Sequence, residues 1–142
     1  MFTSILLATD ASECSMAAAA KAVELAANSK AQLTVVYVSS PYFYLTKSEK
    51  AAFHKRSEDS ANKAFEQIKT MVPKRKMSVD SVHTVLKQGK RPSTAILDVA
   101  KAVKADLIIM GSHGHSGLNR LMLGSVANEV VTQAKSAVLI TK

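Results

Sequence analysis

Five short apolar runs alternate along this chain with longer stretches of helical periodicity, and few folds accept that order. The first run is Ser4–Ala8 (SILLA), bounded by Thr9-Asp10. Ser15–Ala27 follows, rich in alanine, with Ala19, Ala22, Val23 and Ala26 at helical spacing. Leu33–Val38 (LTVVYV) has the β-branched content of a strand and is broken by Ser39, Ser40 and Pro41. Residues 47–71 set Ala61, Ala64, Phe65, Ile68 and Met71 or Val72 on one helical face, and Pro73 ends it. Ser78–Leu86 reads as a less regular strand. Gly89–Pro92 turns the chain, and Pro92 suits the first position of a helix striped by Ala95, Ile96, Val99, Ala100 and Val103. Asp106–Met110 (DLIIM) is nearly all apolar, as expected of a strand covered on both faces. A last helix begins near Ser125, and Ala137–Thr141 (AVLIT) is the fifth strand. This β-α-β-α-β-α-β-α-β order predicts a Rossmann-like α/β fold: a parallel sheet with helices on both faces and right-handed crossovers.

The 142 residues suit one domain, residues 1–142, with a core large enough to need no disulfide. The lone cysteine, Cys14, precludes an intrachain disulfide, suits a reducing cytosol, and reads as a small buried residue on a helix. No basic leader precedes the first apolar run and no run is long enough to span a membrane, so a cytoplasmic protein is expected. The net charge is +8, but twelve of the nineteen Lys and Arg lie between Lys47 and Arg91, interspersed with acids as on a solvated helix face. The densest run, Lys74-Arg75-Lys76, has no interleaved aromatics to stack bases, which argues against a nucleic-acid partner.

The chemistry concentrates after the fourth strand. Gly111-Ser112-His113-Gly114 is followed by nine residues, then Gly124-Ser125, and a helix begins at once. Glycine permits positive φ and lets backbone approach a ligand closely. Successive amides then form a concavity for an anion, and the helix start adds unpaired N–H groups and the positive end of its dipole. Ser125 offers a hydroxyl donor or a helix cap. A capped surface loop is the competing reading. The P-loop pattern is absent. Gly114-His115-Ser116-Gly117 is not a nucleophile elbow, because position 118, where the closing glycine belongs, is Leu118. His113 and His115 lack a third metal ligand and read as phosphate-facing or solvent-exposed. His54 and His83 read as structural or surface residues.

At these residues the sequence resembles the universal stress protein family. Gly111, Gly114, Gly124 and Ser125 match its pattern Gly-x-x-Gly, nine residues, Gly-Ser/Thr, which marks the family's ATP-binding branch. ILLATDASECS, ADLIIMGSHG and GLNRLMLGSVANEVV are similar to family text, in order along the chain. The resemblance implies a five-stranded sheet of order 3-2-1-4-5. Its strand order reverses between strands 1 and 4, where open α/β sheets bind ligands. It implies ATP as ligand, alone or with Mg2+, in a nucleotide-responsive stress-response module. Ala8, Thr9 and Asp10 would lie beside adenine and ribose, and the backbone of Val38 would meet the adenine edge. Met110 and Gly111 would pack near the ribose. His113, Gly114, His115, Gly124, Ser125 and Val126 would face the phosphates.

Three departures bear on affinity. Asp10-Ala11-Ser12 stands where Asp-Gly-Ser is frequent, so Ala11 is strained if the turn needs positive φ. His113 stands where Arg is frequent, and Ala127 where a hydroxyl residue is common. Asp10 has an alternative role as a helix cap. Two other functions compete with nucleotide sensing. Slow ATP hydrolysis assisted by His113 or His115 lacks an evident general base. A homodimeric interaction module would pair through the last strand at a sheet edge, with a structural nucleotide and an unidentified protein partner. The residues do not separate ATP from ADP or a cyclic nucleotide.

Overall fold

A computed structural model describes residues 1–41, 44–73, 76–115 and 122–142. Ser116, Gly117 and Leu118 of the excluded elbow and most of the Lys74-Arg75-Lys76 run lie outside them. The elements are β1 (Ser4–Thr9), α1 (Glu13–Ser29), β2 (Gln32–Ser39), α2 (Lys47–Thr70), β3 (Val82–Gln88), α3 (Pro92–Ala102), β4 (Leu107–Gly111), α4 (Ser125–Gln133) and β5 (Ala137–Thr141). They form one sheet of order β3-β2-β1-β4-β5 with every neighbouring pair parallel. The alternating pattern and the implied strand order are both realised.

Period-two alternation in the central strands divides the core between the two faces. Ile5, Leu7, Leu33, Val35, Leu107 and Ile109 face one side, against the alanines of α1 and against Ala61, Phe65 and Ile68 of α2. Leu6, Ala8, Val36, Ile108 and Met110 face the other, against Ile96, Val99 and Ala100 of α3 and Ala127 and Val130 of α4. Ala18, Ala19, Ala22 and Ala26 are fully buried, and their small side chains let α1 lie close to the sheet.

Ser78–Leu86 is not all strand. Val79–Ser81 is a turn of 3₁₀ helix, with the Ser78 hydroxyl accepting from the Asp80 amide, and β3 begins only at Val82. A serine–backbone bond of this kind competes with strand pairing. No helix among the described residues is long and apolar enough to cross a membrane.

Asp106 joins the amino ends of β1 and β4. Its carboxylate accepts from Thr3 N and Thr3 Oγ1, each at 2.8 Å, and from Ser4 N at 3.1 Å. Burial works to raise this carboxyl, but the bonds from Thr3 and Ser4 together outweigh it and hold its pKa below the usual value. A folded-state pKa below the unfolded one gives stability that is complete above the ordinary carboxylate range and is lost as pH falls through the lowered value. We expect Asp106→Asn to cost about 1 kcal/mol at neutral pH and to reduce the loss of stability in acid, read by urea unfolding across pH.

Candidate nucleotide site at the sheet switch point

The strands part where their order reverses. Pairing between β1 and β4 ends at Ala8↔Met110, and pairing between β1 and β2 ends at Thr9↔Tyr37. β2 continues along β3 to Ser39↔Gln88. On its β1 side Val38 therefore lies beyond the ladder, at the edge of an opening.

That opening is a cleft of about 440 Å³. Ala8, Thr9 and Asp10 line it from β1, Val38 from β2, and Met110 and Gly111 from β4. His113, Gly114, His115, Ser125 and Val126 line its other side. Eleven of the twelve residues singled out in the sequence thus meet around one cavity. The twelfth, Gly124, is not among its lining residues.

Beside Ser15 of α1, the floor is apolar and includes residues that the sequence did not assign to the site, Val36 on β2 and Pro92 and Ile96 on α3, together with Ala127 on α4, which the sequence had noted only for its missing hydroxyl. Val36 shares a strand face with Val38, so period-two reasoning alone reaches it. Pro92 and Ile96 come from a helix about 80 residues distant from β1, and no local pattern points to them.

The loop glycines are set by crowding. None of the four described glycines has a φ in the left-handed region. A Cβ on Gly114 would lie 2.5 Å from Asp10 Oδ2, and one on Gly111 would lie 2.9 Å from Cys14 Sγ. A Cβ on Gly124 would lie 3.2 Å from the His113 Cα, and the Gly124 amide donates to Ser112 O at 2.7 Å. Gly124 thereby fixes the loop from behind and caps α4. That helix has no side-chain cap, and Ser125 is its first residue, not its cap. Its leading amides therefore remain available to an anion.

The left-handed position in the site belongs to Ala11, with φ 64°. Its turn is held locally: Thr9 Oγ1 accepts from Ala11 N at 3.1 Å, and Asp10 Oδ1 accepts from Ser12 N at 3.0 Å. Ser12 is the cap of α1, accepting from Ser15 N, so Asp10 is not the cap. Asp10 Oδ2 is left facing Gly114. Cys14 is half-buried, not fully buried, with Sγ 3.4 Å from Thr141 O.

Two histidines complete the loop. His115 Nε2 donates to Asp10 O at 2.7 Å, which ties the loop to the β1–α1 turn. His113 Nδ1 lies 2.9 Å from Ser112 Oγ. His54, by contrast, sits outside the cleft with Nδ1 2.7 Å from Ser39 Oγ, and His83 is exposed on β3. Among the described residues no group of three metal-binding side chains assembles.

The universal stress protein family model matches residues 1–142, and the chain belongs to that family. A universal stress protein of Thermus aquaticus is 36% identical over 143 residues, covering the whole of both chains. The solved structure of a universal stress protein of Lactobacillus plantarum superposes with a TM-score of 0.84 at 28% identity, covering 99% of this chain and 97% of that one. A universal stress protein solved in complex with cAMP has a TM-score of 0.72 at 25% identity, covering 99% of this chain and 97% of that one.

A left-handed alanine costs roughly 1–2 kcal/mol more than glycine would, partly offset by glycine's extra freedom when unfolded. Ala11→Gly should therefore raise the unfolding free energy by about 0.5–1 kcal/mol, measured by denaturant titration.

Proposed function

We propose that this chain binds an adenine nucleotide in the switch-point cleft, with ATP the leading candidate, and acts as a nucleotide-responsive module of the stress response. The observation that carries this reading is the meeting of an apolar cleft with a crowded glycine loop and an uncapped helix start. The apolar floor suits a purine, and a free backbone edge at Val38 suits its hydrogen-bonding rim. Ala8 and Met110 would pack on the nucleoside, and Asp10 Oδ2 would accept from a ribose hydroxyl. The loop amides and the first turn of α4 would hold the phosphates. The relative solved with cAMP supports an adenine ligand.

Mg2+ would fit as a companion of the phosphates. Asp10 is the one carboxylate among the described residues lining the cleft, so the ion would keep phosphate oxygens and waters as most of its ligands.

Titration calorimetry on nucleotide-stripped protein tests the reading. Heat that saturates with ATP supports it, and no heat at millimolar ATP refutes it. Gly114→Val puts a side chain into the space held by Asp10 Oδ2 and should weaken ATP binding by about tenfold or more while circular dichroism shows the fold retained.

We infer also that two copies pair through β5. The two sheet edges differ. β3 exposes Leu86 as much as β5 exposes Leu139, but sets it among exposed His83, Thr84 and Lys87, the last a charge that discourages pairing. β5 exposes Leu139, and Val131 of the adjacent α4 is exposed too. Sedimentation equilibrium at micromolar concentration should show a dimer, and Leu139→Lys should shift it to monomer. A monomeric parent protein would overturn the pairing.

A further inference from the structure

Two helices start at the rim of the cleft, and their starts are built differently. Pro92 is the first residue of α3 and Ser125 the first of α4, and both line the cleft. Neither helix takes a cap from its own N-cap side chain. At α3 a carboxylate from α4 stands in its place. Ser93 Oγ donates to Glu129 Oε2, and Arg91 Nη2 approaches the same oxygen at 3.0 Å. That carboxylate answers the positive end of the α3 dipole and turns a second anion away. Pro92, moreover, has no N–H to offer a ligand. The leading amides of α4 follow a glycine N-cap and stay available.

The same bond sets the distance between the two helices. Glu129 follows Ser125 by four residues and Val126 by three, so it stands one turn behind them on the same side of α4. Ser93 directly follows Pro92 on α3. The bond therefore ties the apolar floor at Pro92 and Ile96 to the first turn of α4. Of the two helices, α4 has the lighter hold on the core. Its nine residues bury Ala127 and Val130, whereas α3 buries Ser93, Ala95, Ile96, Val99 and Ala100.

The two arms of the bridge differ in weight. Ser93 is 3% exposed, and without Glu129 its hydroxyl would be left a buried donor. The Arg91 side chain is 66% exposed, so solvent screens its attraction. Bonds from Ser93 first and Arg91 second hold the Glu129 carboxyl below its ordinary range, so it is charged at neutral pH.

We propose that Glu129, acting through Ser93, is a positioning residue of the nucleotide site: it holds the leading amides of α4 where a ligand whose base fills the α3 floor can reach them with its phosphates. The inference rests on the adenine-nucleotide reading above. Glu129 works on the phosphate end, because cutting the bond leaves α3 packed and frees α4. Donors held in place before the ligand arrives bind it more strongly than donors that must first be ordered.

The test is calorimetry on the full chain with ATP and, by displacement of ATP, with adenosine. Glu129→Ala should lower ATP affinity about tenfold and adenosine affinity by less than about twofold. Ser93→Ala removes one buried oxygen and should lower ATP affinity by about fivefold, again sparing adenosine; it decides the matter if Glu129→Ala fails to fold. Glu129→Gln keeps an oxygen for Ser93 and should stay within about threefold of the unsubstituted protein. Arg91→Ala should stay within about twofold. Equal losses for ATP and adenosine would reduce the bridge to a structural contact and overturn the inference, as would unchanged ATP affinity in Glu129→Ala or Ser93→Ala. A Glu129→Gln variant as weak as Glu129→Ala would assign the effect to charge and overturn it too. Absence of ATP binding by the unsubstituted protein would instead overturn the nucleotide reading itself.

Discussion

At the carboxyl end of the sheet, three glycines meet their neighbours with no room for a side chain of their own. Gly111 packs on Cys14, Gly114 on Asp10, and Gly124 on the backbone of residues 112–113. Everything distinctive about the site depends on this crowding. It draws the β4–α4 loop down onto the β1–α1 turn, and His115 fastens it there through Asp10 O. It also leaves the first residue of α4 directly after a glycine that has no side chain to cap the helix. The amides that a capped helix would satisfy internally are left facing the cleft.

The strand order creates the space that the crowding then shapes. β1 must leave β4 after Ala8 and β2 after Thr9, because α1 carries the chain to one face while α3 and α4 occupy the other. Large apolar side chains fill the sheet below this level, with Leu6 and Ile108 fully buried and Val36 forming the boundary with the cleft floor. Above it, the same strand faces present Ala8, Val38 and Met110 to a cavity. Core and cleft floor are thus successive layers of one alternating pattern. The strain at Ala11 belongs here too: the turn that brings Asp10 against Gly114 needs a left-handed residue, and this chain supplies one with a Cβ.

Much of this was legible from the residues. The apolar run at Asp106–Met110 read as a strand covered on both faces, and the alternation of elements argued for the parallel sheet. The family pattern at Gly111, Gly114, Gly124 and Ser125 located the loop. Of the two reasons offered for those glycines, positive φ does not apply, while close approach does, here to other segments of the chain, which neither segment reveals alone. The start of β3 was misplaced, since Val79 fits a strand pattern but the Ser78–Asp80 turn withdraws its backbone from the sheet. Cys14 was expected to be buried, yet its position at the start of α1 leaves it half-exposed beside Ser112. Pro92 and Ile96 were out of reach because only the packing of α3 against β2 and α4 brings them to the cleft.

The central claim is that this cleft, held open by crowded glycines, takes an adenine nucleotide through its backbone. Amide chemical-shift mapping during ATP titration tests it most directly, because it reads the N–H groups themselves. The account predicts that the largest shifts fall at Thr9 to Ala11, Gly111 to His115 and Ser125 to Ala127. Saturating ATP that leaves those amides unmoved, or shifts concentrated elsewhere on the protein, would contradict it.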